Sequence, residues 1–471
     1  MHWIGSLTEW RRTAVWLLGG AVLWAGVACS RAVEEDTVVA PEPVAEETAP
    51  TTEAQPRHSI VQWFVDHAHP LRTADDLDPL LRRVQGARLA LLGEASHGTS
   101  EYYVWRAKIS QRLIEEEGFN FVAVEGDWSA IWLLNTYVKN MDSPFNSATE
   151  IMETFSRWPI WMWANEETRD LIEWMRAYNA DRPAEERVGF YGIDVYGESD
   201  AFNQLMAVIQ SDDSAWGQAM ADDYACLRRY QGDMHRYVQA VAMGAASCEA
   251  PTARATERWW NEPIPLNIND EQRFSLKMKA KVVQNAERHF LYMASQGAAS
   301  WNARVDHFYR ATARLLERYG PESRGIVWAH NTHIGDARAT MMRASGQHNI
   351  GQLAREQLGM DAVVAVGFTT HRGTVQAGSA WGEPMQTMRI PPAQPGSLED
   401  WLHQTELDQA LWVFREAEST EPISTVMGNR AVGVIYNPAA EHGNYVPTIV
   451  PLRYDVLIFF DETQALRPVK Y

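Results

Sequence analysis

A chain of 471 residues, 46% of them apolar, can bury a large core and is too apolar to be disordered. Its formal charge of −19 argues against nucleic acid or an anionic bilayer as a partner, and mildly favours cationic ligands. Its 20 Trp are many enough to favour aromatic-lined pockets, although large core fillers explain them equally simply.

Residues 1–29 read as a targeting segment. Arg11 and Arg12 supply a basic start, and Thr13 to Ala28 an apolar run too short and Gly-interrupted to span a membrane. Gly26-Val27-Ala28-Cys29 resembles a bacterial lipobox, with Gly26 where Leu is usual, and would make Cys29 the lipidated first residue. Residues 30–57, largely Pro, Thr, Ala and Glu, cannot bury enough surface to fold and are expected to be an acidic tether. Ordinary cleavage near Ala28 is the alternative. Either route places the mature protein outside the cytoplasm, lipid-anchored in the cell envelope in the first case (in the outer membrane if the host has one), periplasmic or secreted in the second.

The folded domain is expected over 58–471. Its amphipathic opening leads to Leu89-Ala90-Leu91-Leu92, a short apolar strand stopped by Gly93. A polar loop carries Glu94 and His97 between Gly93 and Gly98, and a helical pattern begins at Ser100 and brings Arg106 back toward it. Phe119 to Glu125 and Val188 to Asp194 repeat the scheme of apolar strand and terminal acid, the near-continuous apolarity suiting strands covered on both faces. From about 200 to 320 long helical periodicities dominate, a helical insertion expected to wall one side of a site on the sheet. Cys226 and Cys248 lie within it, a pair suited to a disulfide in an oxidising compartment, with two buried thiols as the alternative. Gly325 to His330, with His333 just beyond, resumes the strands; Asp361 to Phe368, Val432 to Tyr436 and Tyr454 to Phe460 bring them to about seven. Trp381 to Gly396, rich in Pro, Gly and Met, reads as a long surface loop.

Strands alternating with helices predict an α/β fold with a mostly parallel sheet, whose carboxyl ends share one edge. Glu94, His97, Glu125, Asp194, His330 and His333 all follow apolar strands and so are expected to face one cleft. Acids and histidines together suit two hydrolytic chemistries: a carboxylate-held histidine deprotonating water, or a divalent metal activating it. Ser96 lies in Gly93-Glu-Ala-Ser96-His-Gly98 rather than a G-x-S-x-G elbow, which disfavours it as a nucleophile. No Walker loop or G-x-G-x-x-G follows any strand, so no nucleotide cofactor is expected. The absence of C-x-x-C excludes a cysteine-rich zinc site.

Gly93-Glu-Ala-Ser-His-Gly98, followed by Glu101 and Arg106, resembles the signature of the erythromycin esterase family. The likeness runs from about Pro70 to Pro468 through Val124-Glu125-Gly126, Tyr191-Gly192-Ile193-Asp194, Trp328 to His333, Gly367 to Gly373 and Tyr454 to Thr463. It implies a three-layer α/β core with helical additions and metal-independent cleavage of an ester or macrolactone, with macrolide resistance as a possible setting. By resemblance His97 is the general base and Glu94 its neighbour. Arg106, Glu125 and His330 complete the catalytic positions, with Arg106 holding a carboxylate or an oxyanion. Asp194 and His333 are expected on the substrate side, and no cofactor is implied. In one place the chain departs from the pattern: where the family often shows N-x-R-D, it has Asn302-Ala303-Arg304-Val305-Asp306, with the acid displaced by one residue. A metal-dependent hydrolase of another bond and a non-catalytic envelope lipoprotein that binds a ligand remain the competing readings.

Overall fold

The computed structural model describes residues 54–293 and 297–469. The leader expected over 1–29 and nearly all of the tether over 30–57 lie outside the described residues. The tether's last residues, 54–57, instead open the helix Ala54–Asp66. Among the described residues, no helix is long and apolar enough to cross a membrane.

The described residues form eleven strands: β1 (His69–Pro70), β2 (Leu89–Leu92), β3 (Phe121–Asp127), β4 (Gly189–Asp194), β5 (Gly325–Trp328), β6 (Val363–Gly378), β7 (Met385–Ile390), β8 (Gln409–Val413), β9 (Met427–Arg430), β10 (Tyr445–Thr448) and β11 (Val456–Thr463). Nine form one sheet in the order β1-β8-β11-β6-β2-β5-β3-β4, with β7 on β6, and β9 pairs with β10 separately. From β11 to β4 every neighbour is parallel. Strands β8, β1 and β7 add antiparallel margins.

Because successive side chains point to opposite faces, each of the parallel strands β2, β3, β4 and β6 feeds two cores. Leu89, Leu91, Phe121, Ala123, Tyr191, Ile193, Val363 and Ala365 join one apolar cluster; Ala90, Leu92, Val122, Val124, Phe190, Val364 and Val366 join the other. The first cluster is closed by helices between Glu198 and Tyr319, and the second by helices such as Ser100–Glu117 and Glu166–Tyr178. The result is a three-layer α/β fold. From Glu198 to Tyr319 the described residues form six helices and no strand.

Two segments differ from expectation. Val432 to Tyr436 does not enter the sheet; it makes only single bridges, Val432 to Ser96 and Ile435 to Gly378. Val432 and Tyr436 are buried against Val375, Ala377 and Ile390 while Ile435 is exposed, so the apolar spacing reports a small local cluster rather than a strand. The segment Trp381–Gly396 contains β7, which is held to β6 by backbone pairing while its side chains stay mostly exposed, so composition does not reveal it.

Cys226, in the helix Ala215–Arg228, is disulfide-bonded to Cys248, with the Cα atoms 5.7 Å apart and a sequence separation of 22. Closing a loop of that length removes chain entropy worth about 3 kcal/mol. The double substitution Cys226→Ala, Cys248→Ala should therefore lower stability by about that amount in chemical denaturation. Full alkylation of both residues in non-reduced, denatured protein would reject the bond.

Candidate active site

The loop after β2 is held from all sides. A Cβ at Gly93 would lie 2.0 Å from Asn331 Oδ1, and one at Gly98 would lie 2.0 Å from the Gln376 carbonyl, so neither position admits a side chain. Between them the Gly93 amide donates to the Val366 carbonyl (2.8 Å), Asn331 N to the Glu94 carbonyl (2.8 Å) and Val432 N to the Ala95 carbonyl (2.7 Å). The Tyr103 hydroxyl donates to the His97 carbonyl at 2.8 Å. The Ser96 hydroxyl pairs with that of Thr99, so it is not presented to an imidazole.

This frame fixes a three-membered relay. Glu94, fully buried, takes His97 Nδ1 on Oε1 at 2.8 Å and Arg106 Nη2 on Oε2 at 2.7 Å. The Arg106 guanidinium lies between the rings of Tyr103 (4.3 Å) and Trp328 (4.6 Å) with no exposed surface. Arg106 therefore holds the Glu94 carboxylate and does not reach an oxyanion in the cleft; it is a positioning residue. His97 keeps 8% of its surface exposed, and its Nε2 makes no hydrogen bond among the described residues.

A second carboxylate network stands beside it. Glu125, at the end of β3, accepts from Arg304 Nη2 at 2.9 Å and lies 3.3 Å from His333 Nε2, both on Oε1. Its Oε2 accepts the His330 backbone amide at 3.0 Å. Asp194, at the end of β4, takes Arg304 Nε at 2.9 Å and Nη2 at 2.6 Å. Asp194 and His333, expected on the substrate side, are 2% and 3% exposed and are engaged with protein groups. His333 stacks on Trp301 at 4.6 Å, while Asp194 orients Arg304. The ring of His330 is 4.9 Å from that of His97. Its Nδ1 accepts the Thr332 amide at 3.2 Å, which leaves the proton of the neutral ring on Nε2.

Charge sets the protonation states. Burial pulls the His97 pKa down, but the Glu94 hydrogen bond and charge, aided by Glu125, raise it above the ordinary 6.5. For His330 burial and the nearby His97 both act downward, so its pKa falls well below 6.5 and the ring stays neutral. Burial opposes ionisation of Glu125, yet His333, Arg304 and His97 hold its carboxyl well below 4.5. Burial likewise opposes ionisation of Asp194, and Arg304 overcomes it. The arrangement offers one polarised base, one neutral donor and two locked anions.

Arg304 is the residue that sequence reasoning missed. It belongs to the helix Ala299–Tyr319, within the stretch whose acid is displaced. The displaced Asp306 pairs instead with His348 Nε2 at 2.8 Å, away from this network. The arginine, rather than the acid, is the informative position of that stretch.

The family model for erythromycin esterase matches residues 114–463, so the loop bearing Glu94 and His97 lies just ahead of the matched range. The chain is 20% identical over 377 residues to the erythromycin esterase type II of Escherichia coli, covering 74% of this chain and 85% of that one. Among solved structures, a succinoglycan biosynthesis protein superposes with a TM-score of 0.70 at 20% identity, over 89% of this chain and 100% of that one. A mutant of the erythromycin esterase EreC in its open conformation gives 0.61 at 15% identity, over 86% and 96%. At these identities the solved structures show the fold alone.

Proposed function

We propose, from the premise that this chain belongs to the erythromycin esterase family and is a hydrolase of that family, that it cleaves a carboxylic ester or lactone with water activated by His97. The observation that carries this reading is the 2.8 Å contact of Glu94 Oε1 with His97 Nδ1, which leaves His97 Nε2 as the unengaged nitrogen. In the proposed sequence Nε2 takes a proton from water as the oxygen attacks the acyl carbon. Glu94, held by Arg106, stabilises the imidazolium that forms. His330, neutral and protonated on Nε2, donates to the developing oxyanion. Collapse of the tetrahedral intermediate breaks the acyl–oxygen bond, and the imidazolium of His97 returns its proton to the departing alkoxide. Glu125 and Asp194, both occupied by Arg304, act as fixed charges rather than bases. This engagement of the carboxylates disfavours a metal-activated water at the same centre.

A macrocyclic lactone is the first substrate to try, because the Escherichia coli relative is named an erythromycin esterase. The test is a panel of macrolactones, aryl esters and amides, offered to purified protein before and after dialysis against a chelator. Ester or lactone cleavage that survives chelation supports the reading. Cleavage of amides alone, or activity that is lost on chelation and restored by metal, supports a metal-dependent hydrolase instead.

His97 must be neutral to act, and its pKa lies above 6.5, so kcat/KM should rise with pH through a limb placed above that value. Glu94→Gln removes the main raising interactions and leaves burial, the largest influence, and Arg304 acting downward against the charge of Glu125 alone. The limb should therefore move to lower pH while the maximal rate falls; an unmoved limb contradicts the assignment.

We place the protein outside the cytoplasm, anchored through a lipid on Cys29. The basic start at Arg11 and Arg12, the short apolar run and the Cys226–Cys248 bond, which suits an oxidising compartment, support this. Cys29→Ala should remove the lipid and block cleavage at that position, so the distribution between membrane and soluble fractions and the mass should both change. An unchanged fraction and mass would count against the anchor.

A further inference from the structure

Away from the catalytic network, β6, β11 and the helix Leu398–His403 bring together His371, Asp461 and His403. The parallel register pairs Thr370 with Phe460 and Arg372 with Glu462, which sets Asp461 level with His371. The imidazoles of His371 and His403 stack at 3.8 Å with planes 6° apart. His403 Nδ1 lies 2.5 Å from Asp461 Oδ1. One ligand-capable atom from each of the three side chains falls within 4.8 Å of the others, and no other such group of histidine, cysteine or carboxylate occurs among the described residues. His371 is 4% exposed, and its Nδ1 is buried without a hydrogen-bond partner. His403 and Asp461 border a surface recess that also includes Glu406 and Asp408.

We propose that His371, His403 and Asp461 form a binding site for a divalent transition-metal ion of the zinc type. Two imidazole nitrogens and one carboxylate oxygen suit zinc, whereas magnesium and calcium prefer shells made of oxygen. Ligands of this kind sit about 2.0–2.2 Å from zinc. Holding an ion therefore requires the half-exposed His403 and the Asp461 carboxylate, now in contact at 2.5 Å, to part and turn toward it, and the recess leaves a fourth position to water. Arg372 lies 3.3 Å from Asp461 Oδ2, the oxygen that His403 does not contact, and Arg372 is itself paired with Glu462 at 3.1 Å. The site shares no residue with the hydrolytic centre, and its role is structural. The ion ties the helix Leu398–His403 to two strands of the sheet. That helix carries Glu399, whose carboxylate gathers the Thr369 hydroxyl (2.5 Å), Asn429 Nδ2 (2.8 Å) and the Arg430 amide (2.8 Å).

The experiment is calorimetric titration of untagged full-length protein, stripped by chelator, with zinc and separately with magnesium, accompanied by thermal melting. One zinc per chain and a raised melting temperature are expected for wild type and equally for His97→Ala, which separates this site from the hydrolytic centre. His403→Ala and Asp461→Asn, each checked by circular dichroism, should weaken zinc binding at least about tenfold. Visible absorption of the cobalt-loaded protein gives an independent reading of the same loss. Absence of saturable zinc binding, affinity unchanged in both variants, or magnesium binding as tight as zinc overturns the proposal.

Discussion

His97→Ala is expected to lower kcat on the best ester or lactone by about 10²- to 10⁴-fold, the usual effect of removing a general base. The fold should be unaffected. His97 has one side-chain hydrogen bond, to Glu94, and Glu94 keeps Arg106 when the imidazole is gone. The rest of the loop is fixed through backbone groups and the hydroxyl of Tyr103, none of which the substitution touches. KM should change far less than kcat, because an unprotonated base contributes chiefly when the proton moves. Added imidazole should restore part of the rate by entering the vacated space. A variant as active as wild type would remove His97 from the centre and turn attention to Ser96, despite the engagement of its hydroxyl by Thr99.

Arg304→Met should have the largest effect on stability. The guanidinium bridges Glu125 and Asp194, which are 5% and 2% exposed, and among the described residues no other arginine or lysine is within salt-bridge distance of either, so that only Glu125 keeps a side-chain partner, His333. Removing one partner from a buried ion pair leaves uncompensated charge and typically costs about 3–5 kcal/mol. The dependence on pH distinguishes this cause from simple loss of packing. In the wild type the Asp194 pKa lies below 3.8, so its stabilising contribution is present at neutral pH and is lost as the pH falls through the folded value. Without Arg304, burial is the dominant influence and raises the pKa, so the variant should be least stable at neutral pH and recover as acid protonates the carboxylates. Urea denaturation of both proteins at neutral and mildly acidic pH should show the deficit shrinking with acid; a deficit independent of pH would mean that Arg304 acts by packing alone.

Much of the sheet was legible because burial on both faces leaves unbroken apolar runs. The runs ending at Leu92, Val124, Ile193 and Trp328 are all strands of the parallel part of the sheet, the third of them at its edge, and the polar residues just after them, Glu94, His97, Glu125, Asp194 and His330, lie in adjoining networks. The same logic failed at the margins. Strand β8 is short and antiparallel, β7 is exposed, and the buried Val432 and Tyr436 mimic a strand while serving a local cluster. Arg304 could not be placed by strand logic, since it reaches the site from a helix 110 positions beyond Asp194. The orientation of Arg106 was equally hidden: spacing brings it back to the loop, but only packing between Tyr103 and Trp328 sets it behind Glu94.

The central claim is that water, and not a side chain of the protein, attacks the acyl group. Its most direct test is rapid mixing of stoichiometric protein with an ester whose alcohol is coloured, followed by intact-mass analysis of acid-quenched samples. General-base catalysis should release the alcohol without an initial burst and leave the protein mass unchanged. A burst equal to the enzyme concentration, with an acyl adduct on the protein, would contradict the account and identify a covalent nucleophile.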